Sequence, residues 1–194
     1  MTIERGLIKI LVAGDPNVGK TSIVKKAVDN KFSPEKMPSS ILEFEVINMG
    51  EHSKNYASLQ VWDTAGQSKY WPYGRATMSN IDCYVLVYDK TKAETFDNLD
   101  YWKKLVKADD NNKKLIFIVG NKSDLSNSQV HSEKAMAWAV NNNAKFIETS
   151  AKNGSNISKL FMLIYEHFSM QVVPDDTHEK SHRRRLKEIF LGVR

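Results

Sequence analysis

The segment Gly14-Asp15-Pro16-Asn17-Val18-Gly19-Lys20-Thr21 fits the pattern G-x-x-x-x-G-K-[ST], which is typical of a phosphate-binding loop between a strand and a helix. It follows the apolar run 7–13 directly and opens a segment of helical periodicity at 20–29. Glycines let backbone N–H groups approach a phosphate chain closely, and the N-terminal end of the following helix favours an anion. Strand, loop and helix together predict a site for a nucleoside triphosphate, without specifying its base.

We expect Lys20 to reach the β- and γ-phosphates and the Thr21 hydroxyl to coordinate Mg²⁺. The prediction assigns nucleotide contacts to the whole loop and to the residue that follows it, namely Gly14, Asp15, Pro16, Asn17, Val18, Gly19, Lys20, Thr21 and Ser22. Pro16 has no N–H and a fixed φ, so the neighbouring amides must form the phosphate cradle. Its ring also bears on the room above the γ-phosphate.

The rest of the chain alternates apolar runs with helix-period segments, which predicts an α/β domain with a mostly parallel sheet. We expect six strands, at 7–13, 41–49, 56–63, 81–89, 115–120 and 144–148, the second and third of them forming a hairpin. Helices are expected at 20–29, 92–107, 131–142 and 156–170. The predicted architecture is a doubly wound six-stranded sheet with about five helices, in one domain over 1–174.

Composition bounds the class of protein. The 194 residues are 41% hydrophobic and 26% charged, as in a soluble globular domain, and no apolar run reaches the length of a membrane span. The start of the sequence lacks the layout of a secretory signal. Cys83 is the only cysteine and lies in an apolar run, so we expect it in the core of a cytoplasmic protein. The net charge of +5 is modest, and we expect no nucleic-acid partner.

A second motif specifies the base. Asn121-Lys122-Ser123-Asp124 follows the strand at 115–120, at the carboxyl edge where open α/β sheets bind ligands. Guanine presents its N1–H and N2 amine side by side, so the Asp124 carboxylate can accept from both. Adenine lacks this pair and would leave the carboxylate facing an acceptor. The motif therefore predicts GTP and GDP as ligands and argues against an ATP-using kinase.

The order and spacing of four motifs resemble the Ras superfamily of small GTPases over about residues 5–172. The motifs are 14–21, Trp62-Asp63-Thr64-Ala65-Gly66-Gln67, 121–124 and Glu148-Thr149-Ser150-Ala151-Lys152. The resemblance implies the P-loop GTPase fold and a monomeric GTP hydrolase of slow intrinsic turnover that acts as a molecular switch with Mg²⁺. The rival hypothesis is a nucleotide-regulated interaction protein whose hydrolysis is vestigial.

At the phosphate end, the resemblance implies that Asp63 holds the metal through water and that the Gly66 N–H senses the γ-phosphate. It implies that Gln67 orients the attacking water, so that Gln67, Lys20 and Gly66 form the catalytic set. The metal-binding hydroxyl of the first switch falls on Ser39, with Ser40 as its rival.

At the base end, the resemblance implies that Lys122 lies along the base, that the Ala151 N–H meets the guanine oxygen and that Phe32 covers the guanine edge. The full set expected around the base is Phe32, Asn121, Lys122, Asp124, Ser150, Ala151 and Lys152.

Within the superfamily the chain is most similar to the Rab branch, through Trp62, Phe44, Thr95-Phe96-Asp97-Asn98-Leu99 and Trp102. This implies a role in membrane traffic, with an exchange factor, a GTPase-activating protein and effectors acting through the switch regions. The chain departs from the branch at Thr77-Met78, where a tyrosine pair is usual, and at Ser68-Lys69 after the glutamine. These departures bear on partner recognition and leave the nucleotide chemistry untouched.

The segment 175–194 carries six Lys/Arg against four Asp/Glu, and its apolar residues repeat at helical spacing. Those apolar residues are Leu186, Ile189, Phe190 and Val193. With no terminal cysteine and with Thr2 in place of glycine, we expect neither prenylation nor myristoylation, so any membrane residence is peripheral. A short amphipathic helix is predicted. Three hypotheses remain for its role, namely membrane adsorption, docking on a partner and packing on its own domain.

Overall fold

The computed structural model describes residues 6–32, 43–49, 56–64, 80–107 and 114–170. The expectations for Ser39, Ser40, Gly66, Gln67 and the segment 175–194 lie outside these residues. In chain order the elements are β1 (Gly6–Ala13), α1 (Lys20–Asp29), β2 (Glu43–Asn48), β3 (Tyr56–Asp63), β4 (Cys83–Asp89), α2 (Ala93–Asp97), α3 (Leu99–Lys107), β5 (Leu115–Asn121), α4 (Ser132–Asn141), β6 (Lys145–Glu148) and α5 (Ile157–Ser169).

The strands form one six-stranded sheet in the order β2-β3-β1-β4-β5-β6. Strands β2 and β3 pair antiparallel, and the other four pairings are parallel, which confirms the predicted architecture and hairpin. Strands β3 and β2 lie on one side of β1 in the sheet, and strands β4, β5 and β6 lie on its other side. The carboxyl end of β1 is therefore the topological switch point, where such sheets bind ligands.

The sheet has a hydrophobic core on each face. Alternate residues of β1 serve the two cores, with Ile10 and Val12 on the side of α1 and α5, and Leu11 and Ala13 on the side of α2, α3 and α4. Burial on both faces explains why the central strands are almost continuously apolar in sequence. Cys83 is fully buried in the core on the side of α1 and α5, which confirms its predicted place in the core.

The single helix predicted over 92–107 is wrong, because the chain forms two helices with a break at Asn98. The Asn98 N–H donates to the Glu94 carbonyl and ends α2, while the Asn98 carbonyl accepts from the Trp102 N–H in the first turn of α3. The apolar periodicity hides the break, because Phe96, Leu99 and Trp102 all pack into the same core. Among the described helices none is long and apolar enough to cross a membrane.

Two residues that carry the Rab resemblance meet in the hairpin. Phe44 of β2 lies directly opposite Trp62 of β3, with their ring centroids 5.0 Å apart. Phe44 is 52% exposed although it is a large apolar side chain. The pairing therefore places one exposed aromatic ring on the edge strand β2, against the partly buried Trp62 of β3.

Candidate nucleotide-binding site

Two glycines in left-handed conformations shape the loop between β1 and α1. Gly14 has φ 140° and Gly19 has φ 99°, values that L side chains rarely adopt. A Cβ at Gly14 would lie 2.2 Å from the Val87 carbonyl oxygen, and one at Gly19 would lie 2.2 Å from Asn121 Nδ2. Both positions therefore require glycine, and the loop is held close against β4 and the end of β5.

The Lys20 side chain folds back over this loop. Its Nζ donates to the Gly14 carbonyl at 2.9 Å and to the Asp15 carbonyl at 2.7 Å, and the residue is only 5% exposed. Burial lowers the pKa of Lys20 to about 8, against the opposing charges of Asp63 and Asp15. A buried ammonium held by neutral carbonyls is well suited to receive an anionic phosphate, which would restore its charge balance.

The two residues expected at the metal meet beside Lys20. The Thr21 hydroxyl donates to Asp63 Oδ2 at 2.5 Å, although 42 positions separate the two in sequence. The hydroxyl of Thr64, the next residue after Asp63, donates to the Val12 carbonyl at 2.7 Å and holds this segment against β1. A hydroxyl and a carboxylate are hard oxygen ligands, and Mg²⁺ in phosphate sites takes only one or two protein ligands beside phosphate and water. The donor set therefore fits Mg²⁺.

The buried Asn121 side chain connects the loop to the base motifs. Its Nδ2 donates to the Val18 carbonyl at 2.8 Å, and its Oδ1 accepts from the Thr149 hydroxyl and the Ala151 N–H, each at 3.2 Å. The Ala151 N–H, expected at the guanine oxygen, thus lies against Asn121 in this structure. The bridging role of Asn121 was not predicted, although its place at the end of β5 was a usable signal.

The Asp124 carboxylate is oriented by the loop after β6. The Ser150 hydroxyl donates to Asp124 Oδ1 at 2.6 Å, and Ser150 is fully buried. The Lys152 ammonium lies 3.9 Å from Asp124 Oδ2 and is largely exposed. The structure therefore brings together the three residues that the sequence placed around the base in two distant motifs.

Lys122 is held in place by an ion pair that the sequence did not predict. Its backbone is left-handed, with φ 66°, and its Nζ lies 2.6 Å from Asp89 Oδ2. Burial alone would raise the pKa of Asp89, but hydrogen bonds from Lys122 and Thr91 outweigh it and the pKa is lowered. Asp89 lies opposite Asn121 in the β4–β5 register, so adjacency at the strand ends was the available signal.

Phe32, the remaining residue predicted at the base, lies three positions after the end of α1 and is 39% exposed. Along the carboxyl edge of the sheet, the phosphate-loop residues lie beside Asp63, and the 121–124 motif lies beside the loop after β6. Asn121 connects the two groups.

A sequence model described as "Ras: Ras family" matches residues 9–170. The Ras-related protein Rab7 of Pisum sativum is 38% identical over 83% of this chain and 82% of its own length. Rab7 of Drosophila melanogaster is 35% identical over 83% and 80%. The Ras-related protein SEC4 of Saccharomyces cerevisiae is 34% identical over 81% and 73%. The chain belongs to the Ras family of small GTPases and is Rab-like within it. The predictions of family and enzyme class are thereby confirmed.

Proposed function

We propose that this chain binds GTP and GDP with Mg²⁺ along the carboxyl edge of the sheet and hydrolyses GTP as a switch in membrane traffic. The observation that carries the proposal is the Asn121 side chain, which hydrogen-bonds the phosphate loop at Val18 and the base loop at Ala151. One buried amide thus fixes the distance between a phosphate site and a guanine site. Rab7 and SEC4 relatives support the assignment to membrane traffic.

At the base end, Asp124 accepts from the guanine N1–H and N2 amine, and Ser150 holds the carboxylate in place for them. Lys122, fixed by Asp89, lies along the base, and Phe32 covers its edge. The Ala151 N–H exchanges its bond to Asn121 for one to the guanine oxygen. Specificity rests on repulsion as well as attraction, because adenine would leave the Asp124 charge without donors.

At the phosphate end, Lys20 exchanges the Gly14 and Asp15 carbonyls for phosphate oxygens. Thr21, Asp63 and Ser39 would hold Mg²⁺, which neutralises phosphate charge when bound. We assign Gln67 to the attacking water and Gly66 to the γ-phosphate on the family resemblance. Catalysis by positioning and charge stabilisation would make intrinsic turnover slow, and an arginine from a GTPase-activating protein would accelerate it. Exchange factors and effectors would act through the switch regions.

Single-turnover hydrolysis of GTP tests the proposal, with the chain loaded with GTP and compared with Gln67→Leu. We expect slow phosphate release from the unmodified chain and at least a tenfold slower release from the variant, on the order of ~1.4 kcal/mol in the barrier. GDP affinity should be equal in the two and should exceed ADP affinity. Tight GTP binding without turnover would instead favour the nucleotide-regulated interaction protein with vestigial hydrolysis.

We further propose that 1–174 forms the GTPase domain and that 175–194 makes a reversible contact with an anionic membrane surface. Basic residues near such a surface contribute on the order of ~1 kcal/mol each. Deleting 175–194 should leave GDP affinity unchanged and abolish salt-sensitive sedimentation with phosphatidylserine vesicles. No sedimentation of the full chain, together with a large loss of stability on deletion, would show that the segment packs on its own domain; without that loss, docking on a partner would be favoured.

A further inference from the structure

The Asp15 side chain fastens the phosphate loop to the helical layer on the second face of the sheet. Its Oδ1 accepts from Trp102 Nε1 and its Oδ2 accepts from Asn98 Nδ2, both at 2.7 Å. Asn98 immediately precedes α3 and Trp102 lies in its first turn, where the Trp102 N–H also bonds the Asn98 carbonyl. The two oxygens of one carboxylate are thus bonded to a single helical turn more than 80 positions away in sequence.

This attachment is firm on the helix side. Trp102 is 2% exposed and packs with Leu99 and Phe96 in the hydrophobic core on the side of α2, α3 and α4. Hydrogen bonds to an ionised carboxylate are about twice as strong as those between neutral groups. The Trp102 bond is partly buried and the Asn98 bond is exposed, so we expect the former to be the stronger of the two.

The same residue also holds Lys20 from the loop side. The Asp15 carbonyl accepts from Lys20 Nζ at 2.7 Å. Pro16 follows Asp15 and restricts its backbone to extended conformations, which couples the direction of the side chain to that of the carbonyl. A shift of the carboxylate away from α3 would therefore displace the carbonyl that receives the lysine.

We propose that Asp15 is a positioning residue, whose carboxylate fixes the phosphate loop to α3 through Trp102 and Asn98 and so holds Lys20 where the β-phosphate binds. This inference rests on the proposed binding of GDP and GTP. It predicts that the contact supports affinity for the β-phosphate specifically, whereas a merely structural bond would support folding alone.

The chain offers a matched control for the same chemistry. Trp138 Nε1 of α4 donates to Asp100 Oδ1 of α3 at 3.1 Å, so a second indole–carboxylate pair involves the same helix. Asp100 is exposed on α3, and within the described residues its side chain accepts from α4 rather than from the phosphate loop. Asp100→Asn and Trp138→Phe therefore reproduce the chemical changes without the proposed function.

The experiment compares Asp15→Asn, Trp102→Phe, Asp100→Asn and Trp138→Phe in the full chain. For each variant, the GDP dissociation rate, the affinities for GDP and GMP, and the urea midpoint are measured. Asp15→Asn and Trp102→Phe each weaken or remove a charge-assisted bond. Each should therefore speed GDP release and weaken GDP binding by about tenfold. GMP affinity, which involves no β-phosphate, should change by less than about twofold, as should every nucleotide property of the controls.

The double variant Asp15→Asn/Trp102→Phe should bind GDP no more weakly than the weaker-binding single variant, because both changes act on the same Asp15–Trp102 bond. If Trp102→Phe fails to fold, exposed Asn98→Ala replaces it, with an expected loss of about threefold. Equal weakening of GDP and GMP, additive single variants, or a lowered urea midpoint with unchanged GDP release would each overturn the inference. Failure of the unmodified chain to bind GDP would instead overturn the proposed function on which it rests.

Discussion

The phosphate part and the base part of the site are built in different ways. Around the loop at 14–21 the buried side chains of Lys20 and Asn121 donate to backbone carbonyls. The side-chain bonds of Thr21 and Asp15 fasten this loop to the rest of the fold. Around the base the contacts join side chains, as when Ser150 bonds Asp124 and Asp89 pairs with Lys122. Main-chain groups are nearly the same in every residue, so a phosphate cradle built from them does not depend on the base, whereas the Asp124 carboxylate presents two acceptors that match the guanine donors. The first part therefore suits any nucleotide, and the second selects guanine.

Asn121 belongs to both parts, since its amide nitrogen bonds the phosphate loop and its amide oxygen bonds the base loop. The difference between the two parts can be tested by variants that affect one part alone, and by one that affects both.

Asn121→Ala should have the largest effect. The substitution removes the hydrogen bonds that Asn121 makes with the buried Val18 carbonyl and with the buried Thr149 hydroxyl. Each lost bond costs about 1 kcal/mol or more of binding-site stability. We expect affinity to fall at least about 30-fold for GDP and GMP alike, measured by fluorescence titration. Asn153→Ala is the control, because its side chain accepts only a local bond from Ser155 in the described contacts. A loss confined to GDP would show that Asn121 serves the phosphate part alone.

Asp124→Asn should affect the base part alone. The amide cannot accept from both guanine donors, but it can donate to the additional carbonyl of xanthine. GDP should bind about tenfold more weakly and XDP more tightly, while the ratio of GDP to GMP affinity stays constant. Competition titration with both diphosphates measures the change. A variant that still strongly prefers GDP to XDP would remove Asp124 from its assigned role.

Raising the pH should affect the phosphate part alone, through Lys20. Its pKa of about 8 in the folded chain lies below the ordinary value of 10.5, so the unfolded chain binds more protons between these values. The free energy of unfolding of the nucleotide-free chain should therefore rise with pH in this window, because Lys20 loses its buried positive charge in the folded chain before it does so in the unfolded chain. GDP affinity should fall, by about fourfold from pH 7 to pH 8.5, because GDP requires the protonated lysine.

The measurement is a GDP titration at the two pH values, with GMP as the control that carries the same base and no β-phosphate. Calorimetry at pH 8.5 in two buffers of different ionisation enthalpy should show proton uptake with GDP. An equal fall for GMP would mean that the titrating group lies in the base part.

Lys152→Ala should have the smallest effect. The Lys152 ammonium is 3.9 Å from the Asp124 carboxylate and two-thirds exposed, so the pair is screened by solvent. We expect GDP affinity to change by less than about twofold, within the spread of replicate titrations. A loss of fivefold or more would show that this side chain contacts the nucleotide directly.

The sequence predicted the sheet well, because its central strands are buried on both faces and read as short apolar runs bounded by polar loops. It also predicted the meeting of Thr21 with Asp63 and of Ser150 with Asp124, through the family resemblance. It missed the break at Asn98, where the apolar faces of α2 and α3 continue one another. The bond from Trp102 to Asp15 spans 87 positions and follows from no periodicity, so only the folded chain reveals it.

The indole of Trp102 has an optical consequence. Its N–H touches a carboxylate of the phosphate loop from inside the protein core, so its emission depends on the electric field at that loop. The chain has three other tryptophans, Trp62, Trp71 and Trp138, and conversion of these three to phenylalanine would leave Trp102 as the single tryptophan, whose emission can be excited selectively at the red edge of the absorption band. Nucleotide exchange could then be followed in real time through the Trp102 emission, with unlabelled nucleotides and an unlabelled protein.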